Sequence, residues 1–136
     1  MTALGDFAQA REAYEQSLAI RKILGQPLQI LEIQAGLVKL ALEEKHLDEV
    51  EALNHTIYDY LDTHTTDGFS EPMQVYQTCY EGLEALQDSR APMLLVKAYQ
   101  ALLAFADQIE DETYRASFLQ NIPANQKIRE AYSKLA

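Results

Sequence analysis

The residues that could do chemistry are few in this chain, and they are scattered. Glu43 and His46 stand three apart, the spacing that sets two metal ligands on one helix face. A di-iron bundle needs two such pairs and two further core carboxylates. No second Glu-x-x-His occurs, and this pair falls at a helix end. His55 and His64 are nine residues apart, which matches no zinc pattern. Cys79 lies between Tyr76 and Tyr80 on an apolar helix, where a thiol acts as a small hydrophobe. A catalytic thiolate needs a base or a helix N-terminus close by, and Cys79 is placed mid-helix. Neither a nucleophile elbow nor a phosphate-binding glycine loop is present. Gly36 and Gly82 fall inside helices, where close helix packing explains them. The expectation is a chain with no catalytic residue, no metal ligand and no cofactor.

The charge excludes other classes. The sequence has 136 residues, with 21 acidic and 11 basic side chains and a formal net charge of −10. Such a surface repels nucleic-acid phosphate and anionic lipid. The acidic residues concentrate in Glu43, Glu44, Asp48, Glu49, Glu51 and again in Asp107, Glu110, Asp111, Glu112. These read either as solvated helix ends or as a docking face for a basic partner. No apolar run approaches the ~20 residues that span a bilayer. A single cysteine and the absence of an apolar leader core point to a cytoplasmic protein.

The elements that must position any site are helices. Ala, Leu, Glu and Gln dominate, and Gly and Pro are few. Apolar residues recur at three- and four-residue spacing. The pattern predicts helices over about Asp6 to Leu24, Leu28 to Glu44, Asp48 to Thr63, Glu71 to Gln87 and from Pro92 to Ile109. A short helix capped by Asp111 and a last one over about Ala124 to Leu135 complete the set. Gly25 is the expected stop of the first helix, and Asp48 and Ser70 are expected N-caps. The second helix is apolar on most sides, so it should be sandwiched between neighbours. Ala10 and Ala41 are expected at close helix contacts. No stretch alternates as a strand would.

Self-comparison shows a long period. Gly5-Asp6-Phe7-Ala8-Gln9-Ala10, Lys45-His46-Leu47-Asp48-Glu49-Val50 and Gln87-Asp88-Ser89-Arg90-Ala91-Pro92 each precede an amphipathic helix, 40 and then 42 residues apart. The stretch LGDFAQAREAYEQSLAI resembles the second half of a tetratricopeptide repeat. Gly5, Phe7, Ala10, Tyr14 and Leu18 stand at that family's turn-glycine, turn-aromatic, small, large-aromatic and leucine positions, with Ser17 where alanine is usual. The tail from Ala116 to Ile128 is similar to the tail that closes repeat arrays in large bacterial signalling ATPases, cyclases and transcription activators.

The resemblance implies an all-α fold of antiparallel hairpins stacked as a short right-handed solenoid. It divides 1–136 into a half repeat at 1–27, hairpins at 28–66 and 67–110, and capping helices at 111–136. It further implies a protein-interaction or self-assembly module, the C-terminal regulatory part of a larger signalling protein; the alternative is a small-ligand-sensing repeat domain. The first helix of each hairpin lines the family's groove, which makes Gln34, Tyr76 and Tyr80 candidates for binding a protein or peptide. Phe7, Tyr14 and Leu18 are the candidate edge for a homodimer through the N-terminal helix.

Overall fold

In a computed structural model, residues 4–135 are described, with side chains from residue 6 onward. They form seven helices: α1 (Leu4–Leu24), α2 (Pro27–Glu44), α3 (Leu47–Thr63), α4 (Pro72–Ala85), α5 (Ala91–Asp107), α6 (Glu112–Asn121) and α7 (Pro123–Ser133). No strand occurs among the described residues. The helices fall into two compact units, Met1–Glu71 and Pro72–Ala136.

Three helices end in the same way. Gly25, Lys45 and Gln87 all adopt left-handed backbone, with φ of +66°, +62° and +55°. In each case the left-handed N–H donates to the carbonyl three residues back: Gly25 to Lys22, Lys45 to Leu42, Gln87 to Glu84. The next N–H donates five residues back: Gln26 to Arg21, His46 to Ala41, Asp88 to Leu83. This is the paired closure of a Schellman motif, which satisfies carbonyls that the ending helix orphans. Pro27 then stands at the first position of α2, where its missing N–H costs nothing.

The first unit is a three-helix layer with α2 in the middle, packed on α1 and on α3. Val38 and Ala41 of α2 are fully buried, as are Val50 and Leu61 of α3, with Ile57 nearly so. Each large apolar side chain of this kind contributes about 1.5–3 kcal/mol of burial. Ala41 permits close approach, as its spacing predicts. The segment after α3 folds back onto this unit. Phe69 meets the Tyr60 ring edge-on at 5.6 Å. Glu32 accepts hydrogen bonds from the N–H groups of Ser70 (3.2 Å) and Glu71 (3.0 Å). The unit therefore extends to residue 71, beyond the expected boundary at 66. Ser70, the expected cap of α4, stands two residues before the helix starts at Pro72.

Asp48 is not the N-cap of α3. His46 holds that position without a side-chain bond, and Asp48 lies inside the first turn. There its charge meets the positive end of the helix dipole. Gly5 likewise lies within α1 rather than in a turn before it.

In the second unit, α4 and α5 pair, α7 packs on both, and α6 rests on α5 and α7. Leu95, Ala98 and Leu102 of α5, Cys79 and Leu83 of α4 and Ile128 of α7 form its interior. Tyr99 and Tyr132 stack at 3.8 Å between α5 and α7. Asp111 caps α6 as its position predicts, accepting from the Tyr114 N–H at 2.9 Å. Arg115 donates to the carbonyls of Ala106 and Ile109, closing the end of α5.

The tail motif has a structural meaning. Pro123 has no N–H to return to the carbonyl of Leu119, four residues back, so Arg129 donates to it instead at 3.2 Å. Asn125, which is buried, donates to the Phe118 carbonyl at 2.9 Å, and Gln126 donates to that of Gln120. Three side chains of α7 thus satisfy the last carbonyls of α6.

Candidate functional site

The residues expected to carry a dimer edge lie on the packed side of α1. Phe7, Tyr14 and Leu18 are half-buried, and the Tyr14 ring fills the space above Gly36 of α2. The apolar residues that α1 leaves to solvent are Ile20, Ile23 and Leu24, exposed by 55%, 85% and 58%. They occupy its C-terminal end. The backbone of α1 runs against α2 alone among the helices of its unit, and none of its described side chains is fully buried. Helical spacing identified the stripe, but only the packing showed which part of it is covered.

Arg11 is the chief ion-pair centre of this unit. Its guanidinium donates to Glu44 Oε1 and Glu49 Oε2, both at 2.5 Å. These bonds hold its proton more firmly than in a free arginine. α1 is thereby tied to the turn between α2 and α3. Glu44 and Glu49, read from the sequence as part of a solvated or docking face, are consumed in this internal pairing. A concavity of about 690 Å³ lies beside them, lined by Arg11, Lys45, His46, Leu47 and Asp48. Glu43 and His46 are both exposed at the helix ends. Among the described residues no group of three or more His, Cys, Asp or Glu side chains could hold a metal ion.

The three candidate groove residues meet different surroundings. Gln34 lies in the first unit, in a cleft of about 410 Å³ between the start of α2 and the end of α3. Ile30, Leu31, Thr56, Asp59 and Tyr60 share its walls. Gln34 Oε1 is buried and accepts no hydrogen bond. Tyr60 and His64 close the cleft as a parallel stack, 4.2 Å between centroids.

Tyr76 and Tyr80 are on α4 in the second unit. Tyr76 is 3% exposed, so its ring belongs to the interior and offers a partner no surface. Burial pushes its hydroxyl up from the ordinary tyrosine range. Tyr80 is half-buried in a cleft of about 420 Å³ between α4 and α7. Its hydroxyl donates to Glu84 Oε1 at 2.5 Å. Burial and that carboxylate together push its pKa up to about 12. Gln77 donates to Glu81 beside it, and Lys127 approaches Glu81 at 3.8 Å.

Cys79 is fully buried in the second unit, as its apolar neighbours predict. The histidines add no constellation: His55 pairs with Asp59 at 3.3 Å and His64 stacks on Tyr60. No helix among the described residues is long and apolar enough to cross a membrane. No protein-family model, curated protein or solved structure matches this chain.

Proposed function

We propose that this chain is a non-catalytic protein-interaction or self-assembly module built of tetratricopeptide-like helix hairpins. The observation that carries the reading is α1. It is a helix of 21 residues with no fully buried side chain among its described residues and with Ile20, Ile23 and Leu24 turned to solvent. Exposed apolar residues that cluster at one place mark surfaces that meet other proteins. The repeat character is supported by the turns at Lys45 and Gln87. They stand 42 residues apart, the period read from the sequence, and close with the same hydrogen bonds. The role within a larger signalling protein rests on the sequence resemblance alone.

The test has two arms. Light scattering at high micromolar concentration should show self-association that Ile20→Lys with Ile23→Lys abolishes. Separately, proteins labelled by proximity in the native host should each be purified and mixed with the chain. A strictly monomeric chain that forms no stoichiometric complex with any of them defeats the reading. A melting temperature raised by a small metabolite would then favour the ligand-sensing alternative.

A further inference from the structure

We infer that α1 receives the α1 of a second copy of this chain, the two helices lying antiparallel about a two-fold axis. The inference rests on the interaction reading above and adds to it an occupant and an orientation.

Helix geometry sets the face. Tyr14 and Leu18 are half-buried on the side of α1 that meets α2. At about 100° per residue, the side opposite them carries Gln16, Ile20 and Ile23, all exposed. Glu12, Glu15 and Lys22, also exposed, follow one edge of this face. Glu15 and Lys22 form no salt bridge among the described residues, so the fold leaves their charges unspent.

The charges choose the occupant. α1 holds three acidic residues (Asp6, Glu12 and Glu15) and three basic ones (Arg11, Arg21 and Lys22), so the chain's whole net charge of −10 lies outside it. Over the rest of the chain a second copy meets its own sign and is repelled. At α1 it meets a helix of no net charge.

The order of those charges chooses the orientation. Along the edge it runs acid, acid, base. Antiparallel pairing sets Lys22 of each copy beside Glu12 and Glu15 of the other, and the two-fold axis makes both meetings at once. Parallel pairing sets acid on acid and lysine on lysine, which repel. The antiparallel overlap also lays Ile20 and Ile23 of each copy over Ala13 and Gln16 of the other, taking apolar surface out of water.

The test is charge reversal, read as the dimer Kd from sedimentation equilibrium of the full chain at low salt. Glu12→Lys with Glu15→Lys should weaken the dimer by about fivefold or more, and so should Lys22→Glu. The first variant makes the chain less acidic, so general repulsion does not explain its loss. Reversing all three residues together should bring Kd back to within about twofold of the wild type. Helical far-UV dichroism and unchanged thermal melts confirm that each variant folds. A dimer indifferent to both partial reversals, or one that the full reversal does not restore, overturns the inference and leaves self-association through α1 standing. A monomeric wild type also overturns it, while the interaction reading is still decided by mixing the chain with its purified neighbours.

Discussion

Tyr14 of α1 occupies the space that any side chain at Gly36 of α2 would need. A Cβ built on Gly36 would lie 2.5 Å from Tyr14 Cε1 and 2.6 Å from Cζ. The two helices approach at the only kind of residue that admits the ring there, and the sequence places that glycine 22 residues from its tyrosine.

Gly36→Ala should therefore destabilise the chain, although alanine gains about 1 kcal/mol over glycine inside a helix. Displacing the Tyr14 ring costs about 1–3 kcal/mol, which outweighs that gain. In a Tyr14→Ala background the sign should reverse, with Gly36→Ala stabilising by up to about 1 kcal/mol. Urea denaturation of the four proteins measures the coupling. A substitution at Gly36 that behaves alike in both backgrounds would show that the two residues do not share this space.

Lys45 and Gln87 hold left-handed backbone without being glycine. That conformation costs an L-residue with a Cβ roughly 1–2 kcal/mol. Lys45→Gly and Gln87→Gly should each raise stability by about 0.5–1 kcal/mol, the relief being reduced by the freedom glycine adds to the unfolded chain. Gly25→Ala, at φ of +66° with open space around it, should do the reverse. Midpoints of chemical denaturation that fail to rise for both glycine variants would contradict the turn geometry.

Arg11→Gln should leave Glu44 and Glu49 without their shared cation, at a cost on the order of 1–3 kcal/mol. Glu49 Oε1 is already buried without a hydrogen bond, which adds to the sensitivity of this site. Because the exposed edges of the carboxylates then repel each other, the deficit should shrink in 1 M salt, where the Debye length is about 3 Å. Thermal melts at low and high salt decide this. A deficit that does not respond to salt would assign the loss to packing of the arginine stem alone.

Asp88 gives a pH dependence with a definite sign. Its carboxylate accepts from Arg90 Nε at 3.0 Å, Nη2 at 2.8 Å and the Arg90 N–H at 2.8 Å. The guanidinium first, and then the backbone bond, hold it below the usual carboxylate range. A depressed folded pKa contributes stability that is present above the unfolded value near 4 and is lost as pH falls through the folded value. The melting difference between the wild type and Asp88→Asn should accordingly be widest at neutral pH and close progressively below about pH 4. A difference that stays constant down to pH 2 would mean that the carboxylate charge contributes nothing.

The sequence by itself determined that the chain is helical and where its helices lie. Periodic apolar residues, Pro72 in a first turn, Gly25 at a helix end and Asp111 as a cap act on near neighbours in the chain, so their effect is legible without the fold. The buried state of Ala41 and Cys79 was legible for the same reason: each sits mid-stripe on its helix. Asp48 reads as a cap because a capping residue type stands two positions inside the helix, and a first-turn acid and a cap look alike in one dimension. Tertiary structure decided the rest. The partners of Arg11 lie 33 and 38 residues away, and no local pattern pairs them. Phe7, Tyr14 and Leu18 belong to one apolar stripe with their helix, yet which side of that stripe α2 covers depends on where Gly36 lets it approach. Tyr76 and Tyr80 differ by four residues and share a helix face, but the first is interior and the second lines a cleft. The orphan oxygen of Gln34 is of the same kind: the burial of a single atom depends on what packs around it, which spacing along one helix does not state.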